Sequence, residues 1–337
     1  MQEGVNFLYG SGEVSWKRTF YLNATVRNDW FSTLSQANRS ILYPSVSGSY
    51  VFSEHLKTKW LNFGKLRLGY AEVGSDGDVA PFSDQLFYAV NANTINNPSG
   101  AAVSLGSISG GTVPNANLKP SRVSETELGL DLKMFNNRVN FDFAIYRKIT
   151  NDQIVGVQIS DASAFTNTRI NSGKSSNEGF EALLTLVPIK KKNFSWEFTA
   201  NTAYNKTKVL SIITNTPGER ITVGTHVFNG ELRYVVGQEI GQIAGFGYAT
   251  DSKNGNQRIF QSNGVPLRTS DLVLFGSALP KWTGGFLNTF NYKGLTLSVF
   301  IDYKLGNKML SGTNFKATRN GLHMNTLEGR DGGVIGQ

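Results

Sequence analysis

The sequence predicts an all-β protein, an antiparallel transmembrane β-barrel, and three observations lead to this prediction. Hydrophobic and polar or small residues alternate strictly in many segments, as in residues 127–134, and a period of two is typical of a strand with one apolar and one polar face. The alternating segments span about 9 to 13 residues, whereas strands of globular sheets average about 5 to 6. Short connections also alternate with long polar ones, as they do in outer-membrane barrels.

Ten segments of the chain show this alternation clearly, and each is long enough to cross a bilayer as a tilted strand, which takes about 9 to 11 residues. A weaker alternation covers residues 236–249. Together they predict roughly 10 to 12 strands. The ten clear segments are residues 6–15, 19–28, 44–54, 64–73, 122–134, 138–149, 176–188, 194–206, 280–291 and 295–304.

The connections between these segments differ in length in a regular way. Tight turns are predicted at Lys17-Arg18, Asn136-Asn137, Lys191-Lys192 and Lys293-Gly294, and a moderate one at residues 55–62. Long polar loops separate these turns. In a membrane barrel the turns are periplasmic and the loops extracellular. The predicted loops are residues 29–43, 74–121, 150–175, 207–235, 250–279 and those from 305 onward.

Charged residues avoid the apolar alternation of the strands and occupy the other one. We expect this polar set to face the water-filled lumen, because a basic residue facing lipid at midplane costs about 2–4 kcal/mol. A soluble sheet packed on a core would exclude charges from one face as well. The aromatic residues Trp16, Trp60 and Trp196 stand near the tight turns, where membrane barrels carry a girdle of aromatic side chains. The predicted lumen-facing residues are Lys65, Arg67, Glu127, Asp131, Asp142, Glu181, Glu197 and Asp302.

Composition narrows the functional classes. The 337 residues contain no cysteine, and the net charge of +8 is scattered except at Lys190-Lys191-Lys192, so neither thiolate metal sites nor a nucleic-acid partner is predicted. No run of residues approaches the roughly 18 consecutive apolar residues of a membrane helix. No secretion signal is visible at the first residues, so we expect either a cytoplasmic protein or a piece of a longer one.

Motifs for catalysis or cofactors are weak. The three histidines are far apart in the sequence and stand in predicted loops, which does not favour a zinc site. Gly173-Lys174-Ser175 matches the end of a phosphate loop, but Thr168 stands where that loop requires glycine. No nucleophile, base and orienting group occur together, so we predict no enzyme activity, no cofactor and no metal.

Four stretches of the chain resemble the barrel of SusC/RagA-type TonB-linked outer-membrane transporters. One runs from Asn117 to Ile154, and another, from Arg169 to Trp196, carries an N-x-G-x-x-x-N-x-G-x-E pattern at Asn171, Gly173, Asn177, Gly179 and Glu181. The third runs from Gly276 to Met309, and the fourth comprises YPSVSGSYVF and GKLRLGYAEVGSDG. The four blocks follow the family order and cover well over half of the chain, although Trp30-Phe31-Ser32 departs from the family pattern after the early strand.

The resemblance implies that the whole chain is part of one barrel domain of a TonB-dependent receptor. It implies a barrel of 22 strands, with the plug domain, the N-terminal extension and the last strand outside residues 1–337. It further implies import of a glycan or peptide nutrient across the outer membrane of a Gram-negative, Bacteroidetes-like cell. A SusD-like lipoprotein, the TonB complex and outer-membrane lipid are the implied partners.

If this chain contacts the transported molecule, we expect the contacts in the loop of residues 74–121. That loop offers carboxylates, aromatic rings and an amide, which suit an oligosaccharide. Two other classes stay open: a passive porin-type channel, and a surface carbohydrate-binding β-protein whose apolar residues point inward. The predicted substrate-binding residues are Asp76, Asp78, Phe82, Phe87, Tyr88 and Asn93.

Overall fold

The computed structural model of the protein describes residues 3–77, 79–81, 83–86, 88–108, 111–163, 165–214, 216–226 and 228–327. These residues form nineteen strands and one α-helix, with three short 3₁₀ turns at Phe52–Glu54, Asp161–Ser163 and Met324–Thr326. No helix among them is long and apolar enough to cross a membrane. The strands are β1 (Val5–Trp16), β2 (Phe20–Phe31), β3 (Ser40–Tyr50), β4 (Leu61–Ser75), β5 (Tyr88–Asn96), β6 (Ala102–Ile108), β7 (Thr112–Val113), β8 (Ser121–Met134), β9 (Val139–Gln158), β10 (Asn167–Lys190), β11 (Phe194–Ser211), β12 (Arg220–His226), β13 (Gly230–Val235), β14 (Gln242–Gly245), β15 (Thr250–Asp251), β16 (Gln257–Arg258), β17 (Val273–Ser277), β18 (Trp282–Tyr292) and β19 (Leu295–Leu305), and the helix α1 is Gly312–Arg319.

The described residues fall into two compact units. The first comprises Met1–Ile221, Val235–Gly237 and Lys281–Leu305, and the second comprises Thr222–Tyr234, Gln238–Pro280 and Gly306–Gln337. The first unit contains an eleven-stranded sheet in the order β1-β2-β3-β4-β8-β9-β10-β11-β18-β19, with β7 paired to β10 off this path. Apart from the short parallel pair β7–β10, every pairing in this sheet is antiparallel. The predicted antiparallel architecture of roughly 10 to 12 strands is therefore confirmed.

The ten segments predicted as strands coincide with the ten strands on the main path of the sheet. Where the strands join the long connections, however, their observed ends differ from the predicted ones. Strand β9 continues to Gln158 and β10 begins at Asn167, so the predicted loop 150–175 is wrong. Polar residues predominate on both faces of these extensions, and Ile154 with the buried Val155 and Val157 makes too short an apolar run to mark a strand by alternation. At the turn end, β3 stops at Tyr50 although the sequence predicts a strand to residue 54, because Phe52–Glu54 form a 3₁₀ turn, in which the Phe52 ring lies against Gly64.

The long connections contain structure that the alternation did not reveal. Residues 74–121 include the β5–β6 hairpin, and residues 236–249, predicted as a weak wall strand, contribute the short β14 to a separate sheet. In the second unit β12, β13, β14 and β17 form a four-stranded sheet and β15 pairs with β16. Helix α1 begins after Ser311, whose hydroxyl accepts a hydrogen bond from the Asn314 backbone N–H at 3.2 Å, an ordinary N-cap.

The tight turns form where they are predicted, and three of the four, all but Lys191-Lys192, use backbone conformations that few residues tolerate. Lys17 and Arg18 have φ values of 50° and 55°, and Lys293 has 44° before Gly294 at 89°. Positive φ at both central residues is typical of the two-residue hairpin turn whose twist matches that of its strands. Two residues separate the registered partners Tyr292 and Leu295, as in that turn. Three residues separate Trp16 and Phe20, and the third, Thr19, donates its N–H to Trp16 O at 2.9 Å.

A small hydrophobic core lies at the end of the first unit where the long connections are. Phe31, Leu34, Ile41, Tyr43, Val79 and Leu118 form one buried cluster, with Ile154 packed against it. Asp29 is buried beside this core, where its carboxylate accepts hydrogen bonds from the Tyr43 hydroxyl at 2.5 Å and from Arg27 Nε at 2.7 Å. Both interactions satisfy a carboxylate that would otherwise be costly to bury. The end of the sheet is thus held by burial in the manner of a soluble domain.

Candidate functional site: the polar face of the large sheet

Five of the residues predicted to face the lumen form one network on the polar face of the large sheet. Arg67 on β4 lies at its centre and forms an ion pair with Asp131 on β8. Its Nη1 and Nη2 atoms donate to the two oxygens of Asp142 on β9, at 3.2 and 3.1 Å. Lys65 Nζ is 2.9 Å from Asp131 Oδ2, and Glu127 Oε1 is 3.9 Å from Arg67 Nη2. The paired arrangement on Asp142 matches the planar fork of a guanidinium.

A glycine allows Arg67 to reach across a strand. Arg67 is registered directly opposite Gly129, which lies between it and β9. A Cβ at Gly129 would lie 2.7 Å from the Arg67 Nε and Nη2 atoms, which is closer than van der Waals contact permits. The absence of that carbon therefore lets one side chain join three neighbouring strands.

The same arrangement occurs twice more in the sheet. The Tyr146 hydroxyl on β9 crosses Gly179 on β10 and hydrogen-bonds Asn205 on β11. On the opposite face the Tyr303 hydroxyl crosses Gly284 and donates to Thr202 Oγ1 at 2.7 Å. Glycines within strands often mark such close approaches.

The polar face is concave. A cavity of about 670 Å³ is lined by side chains of strands that are several places apart in the sheet, including Arg67 on β4, Glu181 on β10 and Asp302 on β19. Glu127 and Asp142 line it as well. Strands this far apart share one cavity only if the sheet curves towards its polar face. Glu181 and Asp302 form no ion pair with any residue that the structure describes.

Glu197 lies on the same face, registered opposite Thr289 on β18, and is exposed. All eight predicted residues thus share one face of the sheet, although Glu197 does not belong to the Arg67 network. The arrangement provides fixed charges around a hydrated cavity. Among the described residues there is no group of three or more histidine, aspartate or glutamate side chains placed to hold a metal ion.

The opposite face is apolar along the same strands. Registered rows of apolar side chains cross the sheet there, for example Leu68–Leu128–Ile145–Phe180. These side chains have no layer above them: Leu68 is 58% exposed and Leu297 61%. Such an extensive exposed apolar surface is typical of contact with lipid or with another protein.

The predicted substrate-binding residues are not gathered by the structure into one site. Asp76 lies just after β4 and is half-buried, and its carboxylate accepts a hydrogen bond from Thr33 Oγ1 at 2.7 Å. Asn93 is exposed on β5, at an irregularity in its pairing with β6. Tyr88 begins β5, and its side chain lies outside the described part of the chain, as do Asp78, Phe82 and Phe87 entirely.

Sequence reasoning missed two sets of residues at the loop end. Asn171 donates to the backbone oxygens of Lys119 at 2.6 Å and Asp152 at 2.8 Å, and accepts from Lys119 N at 2.9 Å. It therefore fastens the returning loop to the sheet, which gives the first asparagine of the recognised pattern a structural role. Asn171 stood in the predicted loop of residues 150–175, so nothing in the alternation indicated this contact.

The second set is an aromatic pair on the polar face of β1. Phe7 and Tyr9 have ring centroids 6.3 Å apart and are 54% and 61% exposed, and the Arg27 guanidinium lies 4.2 Å from the Phe7 ring. Aromatic side chains at positions that alternation assigns to the polar face were the signal available in the sequence. They suit a flat polar molecule that stacks on a ring.

Comparison with known proteins places these features in one family. A family model described as TonB dependent receptor-like, beta-barrel, matches residues 2–321. TonB-dependent receptor P26 of Formosa agariphila is 27% identical over 320 residues, which cover 89% of this chain and 32% of that protein. TonB-dependent receptor SusC of Bacteroides thetaiotaomicron is 25% identical over 264 residues, covering 77% of this chain and 26% of that protein.

A solved structure shows the same fold. The RagAB peptide transporter aligns with a TM-score of 0.73 at 22% identity, over 90% of this chain and 33% of that chain. The chain spans about a third of the length of the curated relatives it matches.

Proposed function

This chain belongs to the TonB dependent receptor-like β-barrel family, and we propose that it forms part of the wall of an outer-membrane nutrient importer. In this proposal residues 1–337 are all barrel, and the plug domain and N-terminal extension belong to other parts of the protein. The cell is a Gram-negative, Bacteroidetes-like bacterium, as are those that carry the relatives. The long connections face the outside and the tight turns face the periplasm.

One observation carries the proposal: the two faces of the large sheet are separated by polarity along ten consecutive strands. The apolar face is exposed, while the polar face is concave and surrounds a charged cavity. In a membrane only the apolar face tolerates lipid. The residues that then line water are Lys65, Arg67, Glu127, Asp131, Asp142, Glu181, Glu197 and Asp302.

The proposed activity is import driven by the TonB complex, with a SusD-like lipoprotein as the partner that captures the substrate. The substrate is a glycan or a peptide: one similar protein is SusC, and one similar structure is described as a peptide transporter. Phe7 and Tyr9 offer a stacking surface on the polar face. Asp76, Asp78, Phe82, Phe87, Tyr88 and Asn93 remain proposed loop contacts.

The orientation of the sheet is testable by cysteine labelling, because the chain contains no cysteine of its own. Single cysteines at Glu181 and Asp302 would be compared with single cysteines at Leu130 and Leu297, in the full-length protein in outer-membrane vesicles. A water-soluble, membrane-impermeant maleimide should label the first pair readily and the second pair only after detergent is added. Equal labelling of both pairs without detergent would contradict a membrane wall.

Energy coupling separates an importer from a passive porin. Uptake of the substrate by cells that carry the full-length protein should stop when TonB is deleted or the proton gradient is collapsed. A porin would keep its uptake under both conditions. Copurification of a lipoprotein encoded beside the parent gene would test the proposed partner independently.

A further inference from the structure

The apolar face of the sheet contains a groove whose shape follows from one glycine. In the row that runs across the first four strands of the sheet, Val14, Leu22, Gly48 and Leu68 are registered partners. Gly48 leaves a gap between the side chains of Leu22 and Leu68. The groove has a volume of about 840 Å³, and its lining is overwhelmingly apolar.

Aromatic side chains close the turn end of this groove. Trp16 and Phe20 have ring centroids 5.8 Å apart, and Phe20 stacks on Tyr50 at 4.7 Å. Tyr70 stands on the other side of the gap, towards the long connections. The groove is therefore an elongated apolar slot bounded by rings, and an extended hydrocarbon chain fits such a shape better than a compact ligand does.

Basic and hydrogen-bonding side chains lie in the two turns at the turn end of the groove. Lys17 Nζ lies 4.5 Å from the centroid of the Trp16 ring, and the Tyr50 hydroxyl is 3.0 Å from Nδ1 of His55. Arg18, Lys57 and Lys59 are exposed in the same two turns. None of these lysine and arginine side chains forms an ion pair with a described residue. In the sequence of the β3–β4 connection, residues 51–60, Glu54 is the single acidic residue.

We propose that this place binds one anionic phospholipid, with an acyl chain in the Gly48 groove and the phosphate among Lys17, Arg18 and His55. The inference rests on the proposed membrane location and adds a specific lipid to it. Ordinary lipid contact requires only apolar surface, whereas here an apolar slot ends beside lysine and arginine side chains that form no ion pair with a described residue. Lysine and arginine near an anionic lipid surface each contribute about fivefold to binding.

The first test removes the cations without disturbing the turn. In the double variant Lys17→Asn/Arg18→Asn both positions keep positive φ, which asparagine tolerates better than most residues. The full-length protein in detergent would be incubated with phosphatidylglycerol or phosphatidylethanolamine, and retained lipid would be counted by native mass spectrometry. Affinity for phosphatidylglycerol should fall about fivefold or more per charge, with little change for phosphatidylethanolamine.

A matched control lies at another tight turn. Lys293 also has positive φ, at 44°, and its Nζ lies 5.4 Å from the centroid of the Tyr292 ring, but neither residue borders the Gly48 groove. Lys293→Asn should leave phosphatidylglycerol binding unchanged. If it weakens binding as much as the double variant does, the effect is general surface charge and the site is refuted.

The second test fills the groove. A Cβ at Gly48 would have Tyr21 O as its nearest neighbour at 3.9 Å, so the backbone accepts a side chain at this position, and Gly48→Leu is expected to occupy the gap. It should reduce phosphatidylglycerol binding tenfold or more while all the cations remain, whereas Gly10→Leu, with nothing within 4 Å of its Cβ, should not. Equal retention of both lipids, or binding indifferent to Gly48→Leu, overturns the lipid site. A full-length protein that is soluble without detergent would refute the membrane location as well.

Discussion

The middle of the large sheet and its loop end are stabilised in different ways. In the middle the registers run without interruption, the two shifts near the tight turns being one between β10 and β11 and one between β4 and β8. Apolar side chains such as Leu297 remain exposed there. At the loop end β10 shows repeated register shifts, and a compact core is buried around Leu118, which is 2% exposed. The middle relies on backbone ladders and cross-strand contacts, and the loop end on burial.

The two regions gain their stability from different surroundings. A wall that faces lipid on one side and water on the other has no interior to fill. Loops above the wall are surrounded by water and must bury apolar side chains of their own. Substitutions in the two regions are therefore expected to differ in the size of their effect on stability and in the part of the structure that they disturb.

The largest expected effect is at the loop end. Leu118→Ala removes a buried side chain from the core cluster and should cost about 2–5 kcal/mol of local stability. Limited proteolysis of the full-length protein in detergent should then cut residues 74–121 much faster than in the wild type. The matched control is Leu297→Ala on the exposed face of β19, which should leave this proteolysis unchanged. Equal sensitivity of the two variants would abolish the distinction between the regions.

A smaller effect is expected from a glycine in the wall. A Cβ at Gly179 would collide with the backbone oxygen of Tyr204 and with the Tyr146 hydroxyl, and backbone cannot move aside as a flexible side chain does. Gly179→Ala should lower the unfolding free energy by about 1–3 kcal/mol. Urea unfolding of the full-length protein in lipid vesicles, followed by tryptophan fluorescence, measures this change.

Gly12→Ala provides the comparison, because nothing lies within 4 Å of a Cβ at that position of β1. It should be neutral within about 0.5 kcal/mol. Should both glycines tolerate alanine equally well, the close crossing of Tyr146 over Gly179 would not matter to the wall.

The sequence was most informative where the wall is regular. Alternation located all ten strands of the main path, and glycine or asparagine marked turns such as Asn136-Asn137. Alternation failed in the extensions of β9 and β10 towards the long connections, because polar residues predominate on both faces there and the apolar run at Ile154, Val155 and Val157 is too short to show a period. The Leu118 core could not be predicted either, since its members come from the ends of β2 and β3 and from two separate connections, and they meet only in three dimensions.

The polar face was predictable as a set but not as a network. The alternation along each strand was enough to place Arg67, Asp131 and Asp142 on one face of the sheet. Arg67 reaches Asp142 because Gly129 lies in the strand between them. This contact could not be predicted from the sequence, since the order of the strands in the sheet has to be known first. The substrate-binding residues proposed from the composition of the loop were not brought together by the structure. One of them, Asp76, accepts a hydrogen bond from Thr33.

In the middle of the sheet the Arg67 network should contribute more than an ordinary surface pair. Arg67→Ala leaves Asp131 and Asp142 without their shared partner and should cost about 1–2 kcal/mol, since hydrogen bonds to charged groups contribute about 1.5–3 and partial exposure reduces this. Arg147, 3.1 Å from Glu178 with a 67% exposed side chain, is the matched pair on the other face. Arg147→Ala should cost less than about 1 kcal/mol.

A double-mutant cycle with Asp142→Asn isolates the contact across Gly129. A coupling energy near zero between Arg67 and Asp142 would mean that the crossing is incidental. A coupling close to the whole Arg67 effect would assign most of the network to that one contact.

The smallest expected effect lies at the loop end and concerns a single hydrogen bond. Thr33→Val keeps the shape of a side chain that is 4% exposed but removes its bond to Asp76, which should cost about 0.5–1.5 kcal/mol. Hydrogen exchange of residues 31–40 should quicken, while exchange in the middle of β2 stays unchanged. Asp76→Asn retains an acceptor for Thr33 and should protect the loop while removing the charge. If Asp76→Asn nevertheless abolishes substrate binding with the loop intact, Asp76 serves the substrate in addition to the loop; if only Thr33→Val and loop exchange respond, its role is structural.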